Sequence, residues 1–112
     1  MTINYVYRIF TLYISRMIKS IKHKALKIYW TDGDTRKLPS EMMGKIEMVM
    51  TIIDSLEKVP DDLSPFPNLK PHPLKGNRKG DWSLKITGNW RIIFNFDNAT
   101  ASAYDIDLED YH

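Results

Sequence analysis

The sequence contains no cysteine. That excludes a disulfide framework, a thiolate metal site and a cysteine nucleophile, and secreted domains of this size usually need such cross-links. An intracellular compartment is therefore expected. Long apolar runs are also lacking. The stretch MTINYVYRIFTLYISR over residues 1–16 is interrupted by Arg8 and falls short of the roughly 20 residues that span a bilayer. Its basic residue lies inside the apolar stretch and no A-x-A-like site follows, so it does not read as a signal peptide. Phosphate loop, dinucleotide fingerprint and nucleophile elbow are all missing. The three histidines form no i, i+4 pair, so no metal centre and no cofactor are expected.

What remains is enough for one domain of 112 residues, with 43% hydrophobic and 12% aromatic residues to fill a core. Residues 17–112 read as that domain. Residues 1–16 read as a dispensable extension arising from an upstream start, or alternatively as an added strand or partner-binding arm. The net charge of +2 hides a marked segregation. Lys70, Lys75, Arg78, Lys79, Lys85 and Arg91 stand against Asp81 alone over residues 70–91, whereas residues 92–112 carry Asp97, Asp105, Asp107, Glu109 and Asp110 and no lysine or arginine. A local cationic block in a near-neutral chain suits a polyanionic partner, and a merely solvated charged face is its plainer reading.

Hydrophobic periodicity supplies the architecture. Ile18 to Lys22 suits a first strand, and Lys24 to Trp30 a short helix ended by Asp32-Gly33-Asp34. From Pro39, Met42, Met43, Ile46, Val49, Met50, Ile53 and Leu56 recur at steps of three and four, leaving Glu41, Lys45, Glu47 and Asp54 for water, until Pro60 stops the helix. Pro60, Pro65, Pro67, Pro71 and Pro73 predict an extended, stiffened connector. Three alternating runs follow, with Trp82, Leu84 and Ile86, then Trp90, Ile92, Phe94 and Phe96, then Tyr104, Ile106 and Leu108 in the inward phase. Gly88-Asn89 and Asp97-Asn98 supply the hairpin turns. The sum is an α+β fold: an N-terminal strand and two helices, then an antiparallel β-meander with its helices packed on one sheet face. Lys85 and Arg91 fall on the open face, and His72, Lys75, Arg78 and Lys79 reach it from the connector, predicting a concave basic cleft.

Such a cleft without metal ligands suits acid/base chemistry on a polyanion. His72 is fixed between two prolines that hold its backbone extended. His112 follows Glu109, Asp110 and Tyr111 at the end of the last strand-like run, where it reads either as a frayed tail or as that strand's continuation. Attack of an RNA 2′-hydroxyl on its own phosphodiester needs a general base, a general acid and cations around the phosphorane, and these residue types supply them. Tyr111 could stack on a base or take part in proton transfer.

The segments MIKSIKHKALKIYW (Met17–Trp30), HPLKGNRKGDWSLKITGNWRIIFNF (His72–Phe96) and the terminal EDYH (Glu109–His112) resemble the HigB toxins of bacterial toxin–antitoxin operons, within the RelE/ParE superfamily. The resemblance extends over residues 17–112, with Asn77 where an aspartate is common. It implies a RelE/ParE-like fold and a cytoplasmic mRNA interferase, an endoribonuclease that cleaves mRNA in the ribosomal A site. It implies as partners the ribosome and a HigA-type helix-turn-helix antitoxin, through which operator DNA is contacted indirectly. His72, Asp110, Tyr111 and His112 match the family's catalytic positions, and Lys75 and Arg91 its phosphate-binding and transition-state residues. Arg78, Lys79 and Lys85 join them as RNA-binding cations of the cleft. The competing reading is a non-catalytic ParE-like toxin that binds DNA gyrase, with a generic RNA-binding module as a third; retention of His72, Tyr111 and His112 favours the enzyme.

Overall fold

The computed structural model describes residues 17–110, so the extension at residues 1–16 lies outside the described residues. Two helices, α1 (Lys24–Asp32) and α2 (Met43–Ser55), precede a four-stranded antiparallel sheet of β1 (His72–Pro73), β2 (Asp81–Thr87), β3 (Trp90–Asp97) and β4 (Ser102–Asp110), in the order β1-β2-β3-β4. This is the predicted α+β arrangement. His23 starts α1: its backbone is extended and its Nδ1 accepts from the Leu26 N–H at 3.2 Å, satisfying one of the donors that every helix leaves open at its start. Gly33 ends α1 at φ 75°, where its N–H donates to the Tyr29 carbonyl. A 3-10 turn at Ser40–Met42 leads into α2, which stops where Leu56 turns extended.

The apolar stripe of α2 packs as its periodicity predicts. Ile46, Val49, Met50 and Ile53 are fully buried, and they share one core with Leu26 of α1 and with Leu84, Ile92, Phe94, Ala103, Ile106 and Leu108 of the sheet. Complete burial contributes about 1.5–3 kcal/mol for each such large side chain, which is what holds helices and sheet together. Asp54 departs from expectation. It is buried rather than left for water, its Oδ1 has no hydrogen-bond partner among the described residues, and burial pushes its carboxyl up to about 6.

The proline-rich connector is not extended. It winds through 3-10 turns at Asp61–Leu63 and Pro67–Leu69, because Leu63 and Leu69 must be turned inward to be buried. Asp62 accepts from the N–H groups of Glu57 and Lys58, and these donors hold its carboxyl below the usual range. Asn98 grips the connector from the far side, accepting from the Val59 N–H at 2.8 Å and donating to the Val59 carbonyl at 2.9 Å. The connector ends in β1, whose Pro73 is tolerated because β1 is an edge strand.

Two further differences come from β4. The turn between β3 and β4 has four residues, 98–101, and not the tight Asp97-Asn98 hairpin, since Asp97 pairs with Ser102. Inside β4 a bulge shifts the register: Ile93 pairs with Asp107 but Asn95 with Tyr104, and Asp105 takes φ 55°. Alternation is therefore interrupted. Ala103 joins the core opposite Phe96, while Tyr104 stands opposite Asn95 on the open face, the reverse of the predicted phase. The bulge also governs the N-terminal segment, which forms two isolated parallel bridges, Ile18 to Ala103 and Ile21 to Ile106, in place of a regular strand. Ser20 fills the break, its Oγ accepting the Asp105 N–H at 2.8 Å and donating to the Asp105 carboxylate at 3.3 Å.

Two stability measurements follow. Asp54 has a folded value of about 6 against an ordinary 3.8, so the native state holds the proton longer. The contribution of Asp54 to stability is then greatest below about pH 4, falls by about 3 kcal/mol as pH rises to 6, and is level above. Urea unfolding of Asp54→Asn across this range should lose that decline. At Gly80, φ is 103° and an added Cβ would lie 3.1 Å from Asn95 Nδ2, so Gly80→Ala should destabilise by about 1–3 kcal/mol in the same assay.

Candidate active site on the open face of the sheet

With the helices covering one face, register places the polar strand residues on the other. His72 stands opposite Ser83, Ser83 opposite Ile93, and Ile93 opposite Asp107. One row along, Lys85 stands opposite Arg91 and Arg91 opposite Glu109. Asp81, Asn95 and Tyr104 make a third row. Ile93 is buried although it lies outside the main core, and Ser83 is buried with an Oγ that has no partner among the described residues.

His72 is exposed at the sheet edge, and its Nδ1 lies 3.1 Å from the Lys70 carbonyl oxygen. A carbonyl only accepts, so Nδ1 carries hydrogen and, in the neutral ring, Nε2 presents the lone pair. Beside it the chain makes a sharp excursion from Leu74 to Gly80. Leu74 N–H donates to the Asp81 carbonyl, Gly76 and Gly80 take positive φ at the two bends, and a 3-10 turn at Gly76–Arg78 lies between them. His72, Pro73, Leu74, Lys75 and Arg78 line an open cleft of about 400 Å³. Lys75 and Lys79 are exposed on this loop, and Lys85 is half-buried on β2. Arg91 is half-buried too, its Nη1 donating to the carbonyls of Gly88 at 2.9 Å and Trp90 at 3.1 Å.

Arg78 is placed differently from the other cations. Nη1 and Nη2 donate to the two carboxylate oxygens of Glu109 at 2.9 and 2.6 Å, and Nε lies 4.0 Å from Asp81 Oδ2. The guanidinium holds the Glu109 carboxyl below its ordinary range, against the opposing effect of partial burial. Glu109 correspondingly raises the Arg78 guanidinium. The face is thus not the uniformly basic cleft expected: Asp81, Asp107 and Glu109 share it with Lys75, Lys79, Lys85 and Arg91. Glu109 and Ser83 were missed from the sequence. The phase of β4, followed to its end, would have put Glu109 beside Arg91; for Ser83 only the pairing of His72 with β2 reveals the contact.

The open face therefore brings together His72, Lys75, Arg78, Lys85 and Arg91, with Lys79 beside them on the loop. Asp110, the last residue of β4, pairs with Trp90, a register position on the helix-covered side at the strand's end. Tyr111 and His112 lie outside the described residues. Among the described residues no cluster of three His, Asp or Glu side chains could hold a metal ion, and no helix is long and apolar enough to cross a membrane.

Comparison with known proteins matches this arrangement to a family. A family model described as "RelE-like toxin of type II toxin-antitoxin system HigB" covers residues 19–112. The "Endoribonuclease HigB" of Proteus vulgaris is 40% identical over 96 residues, spanning 86% of this chain and 100% of that protein. Solved structures of lower similarity include a YoeB dimer from Staphylococcus aureus, at 22% identity over 85% of this chain and 94% of that chain with a TM-score of 0.45. A YoeB/ParE toxin from Agrobacterium tumefaciens is 20% identical, covers 78% of this chain and 85% of that one, and has a TM-score of 0.41. Because the family match runs from the N-terminal bridge segment through the cationic loop and the whole sheet, the chain belongs to the RelE-like HigB toxins of type II toxin–antitoxin systems.

Proposed function

We propose that this protein is an endoribonuclease that cleaves messenger RNA in the ribosomal A site, by acid/base-assisted attack of a 2′-hydroxyl on the adjacent phosphodiester. The family supplies an antitoxin as its partner, and in this reading that antitoxin is of the HigA helix-turn-helix type, with contact to operator DNA made through it and with the cytoplasm as the working compartment. The observation that carries the reading is the sharing of one open sheet face by His72, Lys75, Lys85 and Arg91. His72 lies two strand spacings from Arg91 and one residue pair along, so their Cα atoms are about 12 Å apart.

The chemistry needs few parts. A base removes the 2′-hydroxyl proton, the oxygen attacks phosphorus, the bond from phosphorus to the 5′-oxygen breaks, and an acid protonates that leaving oxygen. The products are a 2′,3′-cyclic phosphate and a 5′-hydroxyl. His72, with Nε2 directed away from its Lys70 contact, supplies one of the two proton-transfer groups. His112, with Tyr111 and Asp110 beside it in sequence, supplies the other. Lys75 and Arg91 neutralise the charge that develops on the phosphorane, where fixed cations cost no reorganisation. Lys79 and Lys85 flank the strand's path. The 40% identical relative named as an endoribonuclease supports this assignment of activity.

Primer extension on translated transcripts after induction of the full chain tests the reading. Cuts within codons are expected, and His72→Ala and His112→Ala should each lose on the order of 10²- to 10⁴-fold in cleavage rate while still binding ribosomes. Wild-type growth arrest by both variants, or linearised plasmid trapped on gyrase with intact mRNA, would reject it. Lys75→Ala should weaken ribosome binding and reduce the slope of log affinity against log salt by roughly 0.7, one phosphate's share.

A further inference from the structure

Arg78 belongs to the cationic loop, yet its guanidinium faces inward along the sheet. It leaves from the loop that precedes β2 and reaches Glu109 on β4, so the contact links two parts of the sheet separated by β3. Both ends of the contact are partly shielded, the Arg78 side chain being 38% exposed and that of Glu109 28%. The two parallel hydrogen bonds match the fork geometry that makes arginine–carboxylate pairs strong and directional. Asp81 adds a second carboxylate near Nε. A phosphate arriving here would have to displace a bidentate carboxylate and face two negative groups, whereas Lys75 and Lys79 on the same loop are exposed to solvent.

The positions of the two partners along the chain give the contact its meaning. Arg78 is three residues from Lys75 and six from His72, within the excursion that lines the cleft. Glu109 is three residues from His112, and three residues of chain reach at most about 11 Å. We propose that Arg78 and Glu109 are a positioning pair, holding the loop that carries Lys75 at a fixed separation from the end of β4 that delivers residues 110–112, and that Arg78 makes no contact with substrate phosphate. This inference rests on the proposed ribonuclease reading for its catalytic consequence, but the pinning of the loop stands on the geometry alone. It also separates Arg78 from the phosphate-binding set, in which its sequence position had placed it.

Single-turnover cleavage and ribosome binding of the full-length protein distinguish the two roles. Arg78→Ala and Glu109→Ala should each slow cleavage by on the order of tenfold to a hundredfold, the scale of a small misplacement of reacting groups. Affinity should stay within about twofold and the salt slope unchanged, since no phosphate contact is lost. The double variant should be no slower than either single one. Arg78→Lys should resemble Arg78→Ala, because an ammonium cannot make the forked contact. The reversed pair, Arg78→Glu with Glu109→Arg, should recover part of the rate and guards against simple misfolding in the single variants. A phosphate-binding Arg78 would give the opposite pattern: Arg78→Ala weakens binding and lowers the slope by roughly 0.7, Arg78→Lys restores both, and Glu109→Ala tightens binding. If the unmodified chain cleaves nothing, the ribonuclease reading fails separately, and amide hydrogen exchange over residues 74–80 decides the pair. Faster exchange in both alanine variants supports the pinning, and unchanged exchange in both overturns it.

Discussion

Burial of a single sheet face against α2 is the constraint on which the rest of the molecule depends. Leu84, Ile92, Phe94, Ile106 and Leu108 can all turn toward Ile46, Met50 and Ile53 only if the intervening residues turn away. Those intervening residues include Ser83, Lys85, Arg91, Asn95, Asp107 and Glu109. A largely polar surface is therefore a by-product of core formation, interrupted by the buried pair Ser83 and Ile93. The strands fix separations and the loop before β2 brings further cations to them, a division of labour that suits a site needing both rigidity and reach.

Charge on that surface is arranged in two tiers. Near the backbone, carboxylates engage cations: Glu109 and Asp81 hold Arg78, and the loop is tied down through it. Above this tier stand the lysines of the loop, facing solvent. Net charge hides this arrangement, and even a count by segment hides it, because the acids of β4 and the bases of residues 70–91 are brought together only by antiparallel pairing across β3.

Elements with unbroken periodicity were legible in the sequence. The three- and four-residue spacing from Met42 to Leu56 predicted α2, and strict alternation predicted β2 and β3 along with the Gly88-Asn89 turn. Failures arose where a local exception overrode the period. One additional residue at Asp105 reversed the phase for Tyr104 and Ala103, and no composition signal marks an aspartate that will adopt φ 55°. Five prolines suggested an extended connector because they exclude regular helix, but 3-10 turns also accommodate proline, and burial of Leu63 and Leu69 selected them. Asp54 looked like a solvent residue by type, whereas its place on α2 between Ile53 and the start of the connector encloses it. On the candidate face, the motif pointed to His72, Lys75 and Arg91, and the fold places all three on or beside it. The engagement of Arg78 by Glu109 was not legible there, since it depends on a distance across the sheet between residues 31 positions apart.

The bridge segment at Ile18–Ile21 has a consequence for the margins of the sheet. Its backbone takes up hydrogen-bonding groups along the outer side of β4, where Lys19 and Lys22 donate to the carbonyls of Ala103 and Ile106. At the opposite rim stands β1, two residues long, with Pro71 just before it and Pro73 within it. Proline rings offer no N–H to an incoming strand. Among the described residues, one margin of the sheet is thus bridged at Ile18 and Ile21, and the short strand at the other margin has a proline on either side of His72.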